Sequence, residues 1–139
     1  LSTHNTWRVT GHFHATVVGG TTLAFMGFTY YVIPLIFRRP LFGKFLVRWQ
    51  PWVYGIGMIF VSISMIIAGI LGTPRRHWDT TFTNAVIPVQ LPSLTNLMLT
   101  LTGIGVLIAV TGGIMYVVIC VGSLFMKKRE ARALNPLDA

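Results

Sequence analysis

The sequence predicts an all-α transmembrane fold: three membrane-spanning helices that form part of a larger helix bundle. Three observations carry this. Of 139 residues only 10% are charged while 53% are hydrophobic, and the mean hydropathy is +0.69. The apolar residues gather in three runs of about 20 residues or more, enough to cross ~30 Å of hydrocarbon at ~1.5 Å per residue. The basic residues sit between those runs rather than inside them. Three apolar helices alone make a thin core, so partner helices are expected.

The first span is placed at about 11–37, rich in glycine (Gly19, Gly20, Gly27) with Pro34 near its end. The second is placed at about 52–71 and the third at about 97–125. Their charge-free interiors favour spanning over interfacial helices. Arg38, Arg39, Lys44 and Arg48 follow the first span; Lys127, Lys128, Arg129 and Arg132 follow the third. With three crossings both clusters fall on one side, which holds eight of the eleven Lys and Arg. By the positive-inside rule that side is cytoplasmic, the tail 126–139 lies there, and the N-terminal segment starts outside.

The outer loop, 72–96, is long for a turn and holds Pro74, Pro88, Pro92, Trp78 and Asp79; long loops usually cover or bind something. Trp7, Trp49, Trp52 and Trp78 lie near the expected membrane borders, an aromatic-belt pattern. Gly55, Gly57, Gly69, Gly103, Gly105, Gly112 and Gly113 suit close helix packing, and a few suit a flat cofactor.

Net charge is +8 with pI ≈ 10.6. Its placement beside apolar runs argues for helix orientation and against nucleic acid. The single cysteine, Cys120, excludes a disulfide within the chain. A start at Leu1, directly before a motif, reads as a processed or cut chain.

The chemistry-bearing signal is His12-Phe13-His14 at the outer end of the first span. On a helix, residues two apart are about 200° apart around the axis, so the imidazoles cannot share one metal but can each ligate a separate one. Intramembrane histidine is costly unless used, and neutral imidazole is an axial ligand of heme iron. The plain alternative is two half-solvated interfacial histidines. Arg75-Arg76 in the outer loop runs against the positive-inside trend. Arginine forks pair with carboxylates, heme propionates included; lipid headgroups or water are the alternative. His4-Asn5-Thr6 can hydrogen-bond propionates and water, or cap a helix start. Arg8 is ambiguous, and His77 reads as solvated.

Taken together, His4-Asn5-Thr6, Gly11-His12-Phe13-His14 and Pro74-Arg75-Arg76 resemble the C-terminal part, helices X–XII, of subunit I of heme-copper cytochrome oxidases. The resemblance covers virtually the whole chain, 1–139. It implies His12 as ligand of the high-spin heme iron, His14 as an axial ligand of the low-spin heme iron and Phe13 between the hemes. It implies Arg75 and Arg76 as propionate partners, with His4 and Asn5 in the propionate and water region. Asn5 stands where the family has an acid, removing a charge that magnesium ligation through this triplet would use. The Asn and the Gly before the His pair look like the B-type, ba-type branch.

The resemblance implies two hemes and a copper, CuB, whose ligands lie on earlier helices outside this chain. It implies no catalytic residue here beyond the heme ligands. Its implied partners are the remainder of subunit I, subunit II and other oxidase subunits, cytochrome c or quinol, O2 and membrane lipids, but no nucleic acid. It implies a terminal oxidase in the prokaryotic cytoplasmic (inner) membrane that reduces O2 to water with proton translocation, active only within a larger complex. Rival readings are a nitric oxide reductase relative, a non-catalytic membrane packing subunit and a simple bis-heme cytochrome. The last fits poorly, because His4, His12, His14 and His77 all lie toward one side.

Overall fold

A computed structural model describes residues 4–76 and 91–127. Three rods cross the long axis of the molecule. The first is continuous from Trp7 to Phe37: α1 (Trp7–Phe13), a π-helical stretch (His14–Thr21) and α2 (Thr22–Phe37). The second rod is α3 (Lys44–Ile70) and the third is α4 (Ser93–Phe125). All three are long and apolar enough to cross a membrane. The described residues contain no strand beyond one isolated bridge between Thr6 and Pro74.

Each rod begins earlier than its apolar run: at Trp7 rather than Gly11, at Lys44 rather than Trp52, and at Ser93 rather than Leu97. Helical hydrogen bonding outlasts the apolar composition, because a spanning backbone must satisfy its own polar groups and long amphipathic side chains tolerate the border. Pro51 marks the difference most clearly. It deprives the Val47 carbonyl of its usual donor, yet it lies inside α3. The outer-loop residues His77, Trp78, Asp79 and Pro88, and the tail from Lys128 to Ala139 with Arg129 and Arg132, lie outside the described residues.

The turn between α2 and α3, at the end of the bundle that the charge pattern predicts to be inner, starts with Arg38 in the left-handed region (φ 53°) and ends with Gly43 at φ 67°. The Phe42 N–H donates to the Ser123 hydroxyl at 2.9 Å, fastening this turn to the inner end of α4.

α3 packs along α4 through missing side chains. Gly57 meets the Ala109 backbone, and Gly112 lies so close to Tyr54 that a Cβ would sit 2.6 Å from its nitrogen. Backbones this close gain dispersion contact, the main attraction between helices in lipid. Ser64 and Thr102 share a hydrogen bond of 2.8 Å across the same seam.

Met26, Tyr54, Met58 and Ala109 form the apolar core where all three rods meet. Just toward the inner end, Gln50 is fully buried. Its amide donates to the Gly112 carbonyl and to the Met26 sulfur, both at 3.2 Å, and it accepts from the Tyr30 hydroxyl at 2.8 Å. One side chain thus joins all three rods. The first rod otherwise buries little, only Gly11, Met26 and Ile33. It exposes Phe13, Val17, Phe25, Phe28, Tyr31 and Leu35. That bare apolar face is the thin core expected of three helices alone.

Candidate functional site

The outer end of the bundle is built by two chain segments far apart in sequence. The first rod runs antiparallel to α3, so the start of one meets the end of the other. The Trp7 N–H donates to the Thr73 carbonyl at 3.0 Å, and the Arg75 N–H donates to the Asn5 carbonyl at 2.9 Å. Gly69 of α3 lies against the Arg8 backbone, and a Cβ on Gly11 would sit 2.8 Å from Ile66. Glycine at both places lets the rods touch. Asn5 (φ 61°) and Arg76 (φ 60°) adopt the left-handed region, which Asn tolerates better than most residues. His4-Asn5-Thr6 and Pro74-Arg75-Arg76 are therefore neighbours. His4, Asn5 and Arg76 are exposed and Arg75 is half-buried.

One turn further in, His12 lies in the last turn of α1, Phe13 closes it and His14 opens the π-helical stretch. Continuous helix through both keeps them about 200° apart around the axis. His12 is exposed, His14 is half-buried and Phe13 is 52% exposed between them. The His14 Nδ1 lies 2.8 Å from the Thr10 carbonyl oxygen. A carbonyl only accepts, so Nδ1 carries the proton and Nε2 keeps a free lone pair. Metal-binding histidines are commonly oriented by such a bond. The Phe13 ring stands nearly perpendicular to that of His14, 6.0 Å between centroids and 81° between planes.

Below the pair the rod is lined by small residues. Ala15, Gly19 and Gly20, with Gly55, Met58 and Ser62 of α3, border an apolar cavity of about 340 Å³. The Ser62 hydroxyl is buried without a partner. A second hollow of about 640 Å³ runs along Thr16, Gly20, Thr21, Ala24, Phe25 and Phe28. Both hollows begin within two residues of the His pair in sequence, at Ala15 and Thr16, and their apolar lining suits a flat apolar macrocycle. Among the described residues no three His, Cys, Asp or Glu side chains converge on one point.

Sequence reasoning found the His pair and the arginine turn. It missed the π-helical stretch, and with it Tyr54, whose hydroxyl donates to the Val18 carbonyl at 2.7 Å. It also missed Gln50. The one available signal was a lone Gln and a lone Tyr, four residues apart, at the start of an apolar run.

Three apolar rods long enough to cross a membrane, with an imidazole pair and an arginine-bearing turn at one end, define a polytopic membrane protein. The chain belongs to the heme-copper oxidase subunit I family: the family described as Cytochrome C and Quinol oxidase polypeptide I matches residues 1–107. It is 32% identical over 108 residues to "Cytochrome c oxidase subunit 1" of Thermus thermophilus, covering 76% of this chain and 19% of that protein. It is 31% identical over 132 residues to "Probable quinol oxidase subunit 1" of Staphylococcus aureus, covering 95% of this chain and 18% of that one. An "Uncharacterized protein RP382" of Rickettsia prowazekii is 27% identical over 130 residues, 86% of this chain and 24% of the relative. The chain thus spans roughly a fifth of the length of these relatives. No solved structure gives a significant match.

Proposed function

We propose that this chain supplies the heme-ligand helix and the propionate-binding turn of a terminal oxidase that reduces O2 to water and translocates protons. The observation that carries the reading is the bond from His14 Nδ1 to the Thr10 carbonyl, which leaves Nε2 presented from a fixed ring.

The roles are those the family resemblance implies. His14 ligates the low-spin heme iron, and His12, on the opposite flank, ligates the high-spin heme iron beside CuB. The ligands of CuB lie outside this chain. Phe13 fills the space between the hemes and holds them apart. Arg75 and Arg76, latched beside Asn5, neutralise propionates at the outer end, while His4 and Asn5 hydrogen-bond propionates and water there. When bound, the hemes and copper carry the electron and oxygen chemistry; the protein supplies ligation, orientation and charge. The only acids in the sequence are Asp79, Glu130 and Asp138, all beyond the spans, so proton uptake runs mainly through other helices.

The bundle sits in a prokaryotic cytoplasmic membrane with its C-terminus inside. Its partners are the rest of subunit I, subunit II and an electron donor, cytochrome c or quinol. The relatives' names include both donor types.

The test is a reduced absorption spectrum of the purified complex containing this chain, with and without carbon monoxide. Two heme populations, only one of which binds carbon monoxide, are expected. A complex without heme would overturn the reading and leave a packing subunit.

A further inference from the structure

At the exit from the π-helical stretch the Thr22 N–H reaches the carbonyls of Val17 and Gly19 and not that of Val18 between them. An unpaired carbonyl in hydrocarbon is costly, and the donor comes from another rod. Tyr54 of α3, 7% exposed, donates its hydroxyl to the Val18 oxygen at 2.7 Å.

Threonine hydroxyls add further bonds to neighbouring carbonyls. Thr22 donates to Val17 at 3.4 Å and Thr21 to Thr16 at 3.2 Å. At the entrance Thr16 donates to the His12 carbonyl at 3.1 Å. The widened stretch thus begins at the backbone of one candidate ligand and ends on Tyr54.

Both sides of the stretch are pinned. Outward, Gly11 rests on Ile66 and the Trp7 N–H is bonded to Thr73. Inward, Tyr30 and Met26 are held by Gln50, and the Tyr116 hydroxyl donates to Thr29 at 3.0 Å. Between pinned ends a helix accommodates an extra residue only by widening, and π-helical turns inside α-helices often mark functional sites for this reason. Relaxation to α-helix with the same residues would turn the His pair by about 100° and slide it about 1.5 Å relative to Met26 and Tyr30. Two sites on opposite flanks could not both follow that rotation.

We propose that Tyr54 is a positioning residue for His12 and His14: its hydroxyl holds the π-helical stretch that fixes the rotation of both imidazoles against the inner half of the bundle. The proposal rests on the heme-ligation reading above. Tyr54 touches neither imidazole and acts only through the backbone between Val18 and His14.

The test uses the assembled complex carrying Tyr54→Phe, with Thr102→Val as a control. Thr102→Val also removes a buried hydroxyl, but from the seam of α3 and α4, where its partner is Ser64 and not the first rod. The readout is the electron paramagnetic resonance of the low-spin ferric heme, whose g-values report imidazole orientation. Tyr54→Phe is expected to keep both hemes and displace those g-values, while Thr102→Val leaves them in place. Unchanged g-values in Tyr54→Phe, or an equal displacement in Thr102→Val, overturn the proposal. Should Tyr54→Phe fail to assemble, Thr22→Val perturbs the same exit from a half-buried position; displaced g-values support the proposal and unchanged ones overturn it. A wild-type complex without heme would overturn the ligation reading and this proposal together. A wild-type complex with both hemes, unaltered by Tyr54→Phe, overturns this one alone.

Discussion

The Arg75 N–H is bonded to the Asn5 carbonyl at 2.9 Å, through main-chain atoms on both sides. The pairing holds the turn after α3 against the segment before α1 without using either side chain. The arginine side chain can therefore be removed while the latch stays closed, and its charge can be tested separately from its fold.

Arg75→Ala is expected to lower the midpoint potential of the adjacent heme, because a nearby positive charge favours the reduced, more negative state. For unit charges about 10 Å apart at an effective dielectric of about 20, the loss is roughly 1–2 kcal/mol of reduction free energy. Redox titration monitored by absorption checks it. An unchanged potential would place Arg75 against lipid or water instead.

His12→Ala and His14→Ala are expected to separate the two hemes. The first loses the heme that binds carbon monoxide, and the second loses the low-spin heme. Heme extraction with reduced difference spectra of each variant measures this. If both variants keep both hemes, the ligand assignment fails.

Gln50→Leu is expected to destabilise the bundle by about 1–2 kcal/mol, the scale of interhelical hydrogen bonds in membranes. The Tyr30 hydroxyl loses its acceptor, and the Gly112 carbonyl loses the amide that bonds it. Unfolding in mixed detergent, followed by circular dichroism, gives the number. No loss of stability would mean that Gln50 contributes packing alone.

Gly69→Ala is expected to cost about 1–3 kcal/mol by overpacking, because the added methyl falls on the Arg8 backbone. Opening there strains the Trp7–Thr73 bond, so a protease cutting near residue 5 should act faster on the variant. Equal cleavage rates would show that the outer ends tolerate separation.

The three rods were legible because hydrocarbon demands long apolar runs; His12 and His14 stood out because imidazole is rare in such runs, and Arg75 and Arg76 because they run against the positive-inside trend. The C-terminal ends lie within a residue of those expected: Phe37, Ile70 and Phe125 close their helices. The outer start at Trp7 and the inner start at Lys44 were not legible, since hydropathy falls in the headgroup zone before helical bonding stops. Nor was the π-helical stretch. His14–Thr21 reads as an ordinary run of small and β-branched residues, and the extra residue becomes visible only once Gly11 and Met26 are both fixed against α3. Tyr54 and Gln50 stayed hidden for the same reason, because their partners are backbone and side-chain atoms on other rods.

The widened turn between His14 and Thr21 also changes what a deletion does to this chain. Elsewhere along a packed helix, losing one residue swings everything beyond it by about 100° and breaks its seams. Here, loss of a single residue such as Gly20 would close the wide turn to an ordinary one and leave the faces above and below in register. This stretch is therefore the one place in the first rod where chain length can vary by one without re-facing His12 and His14, so length differences between related sequences should be sought there before any are placed in α3 or α4.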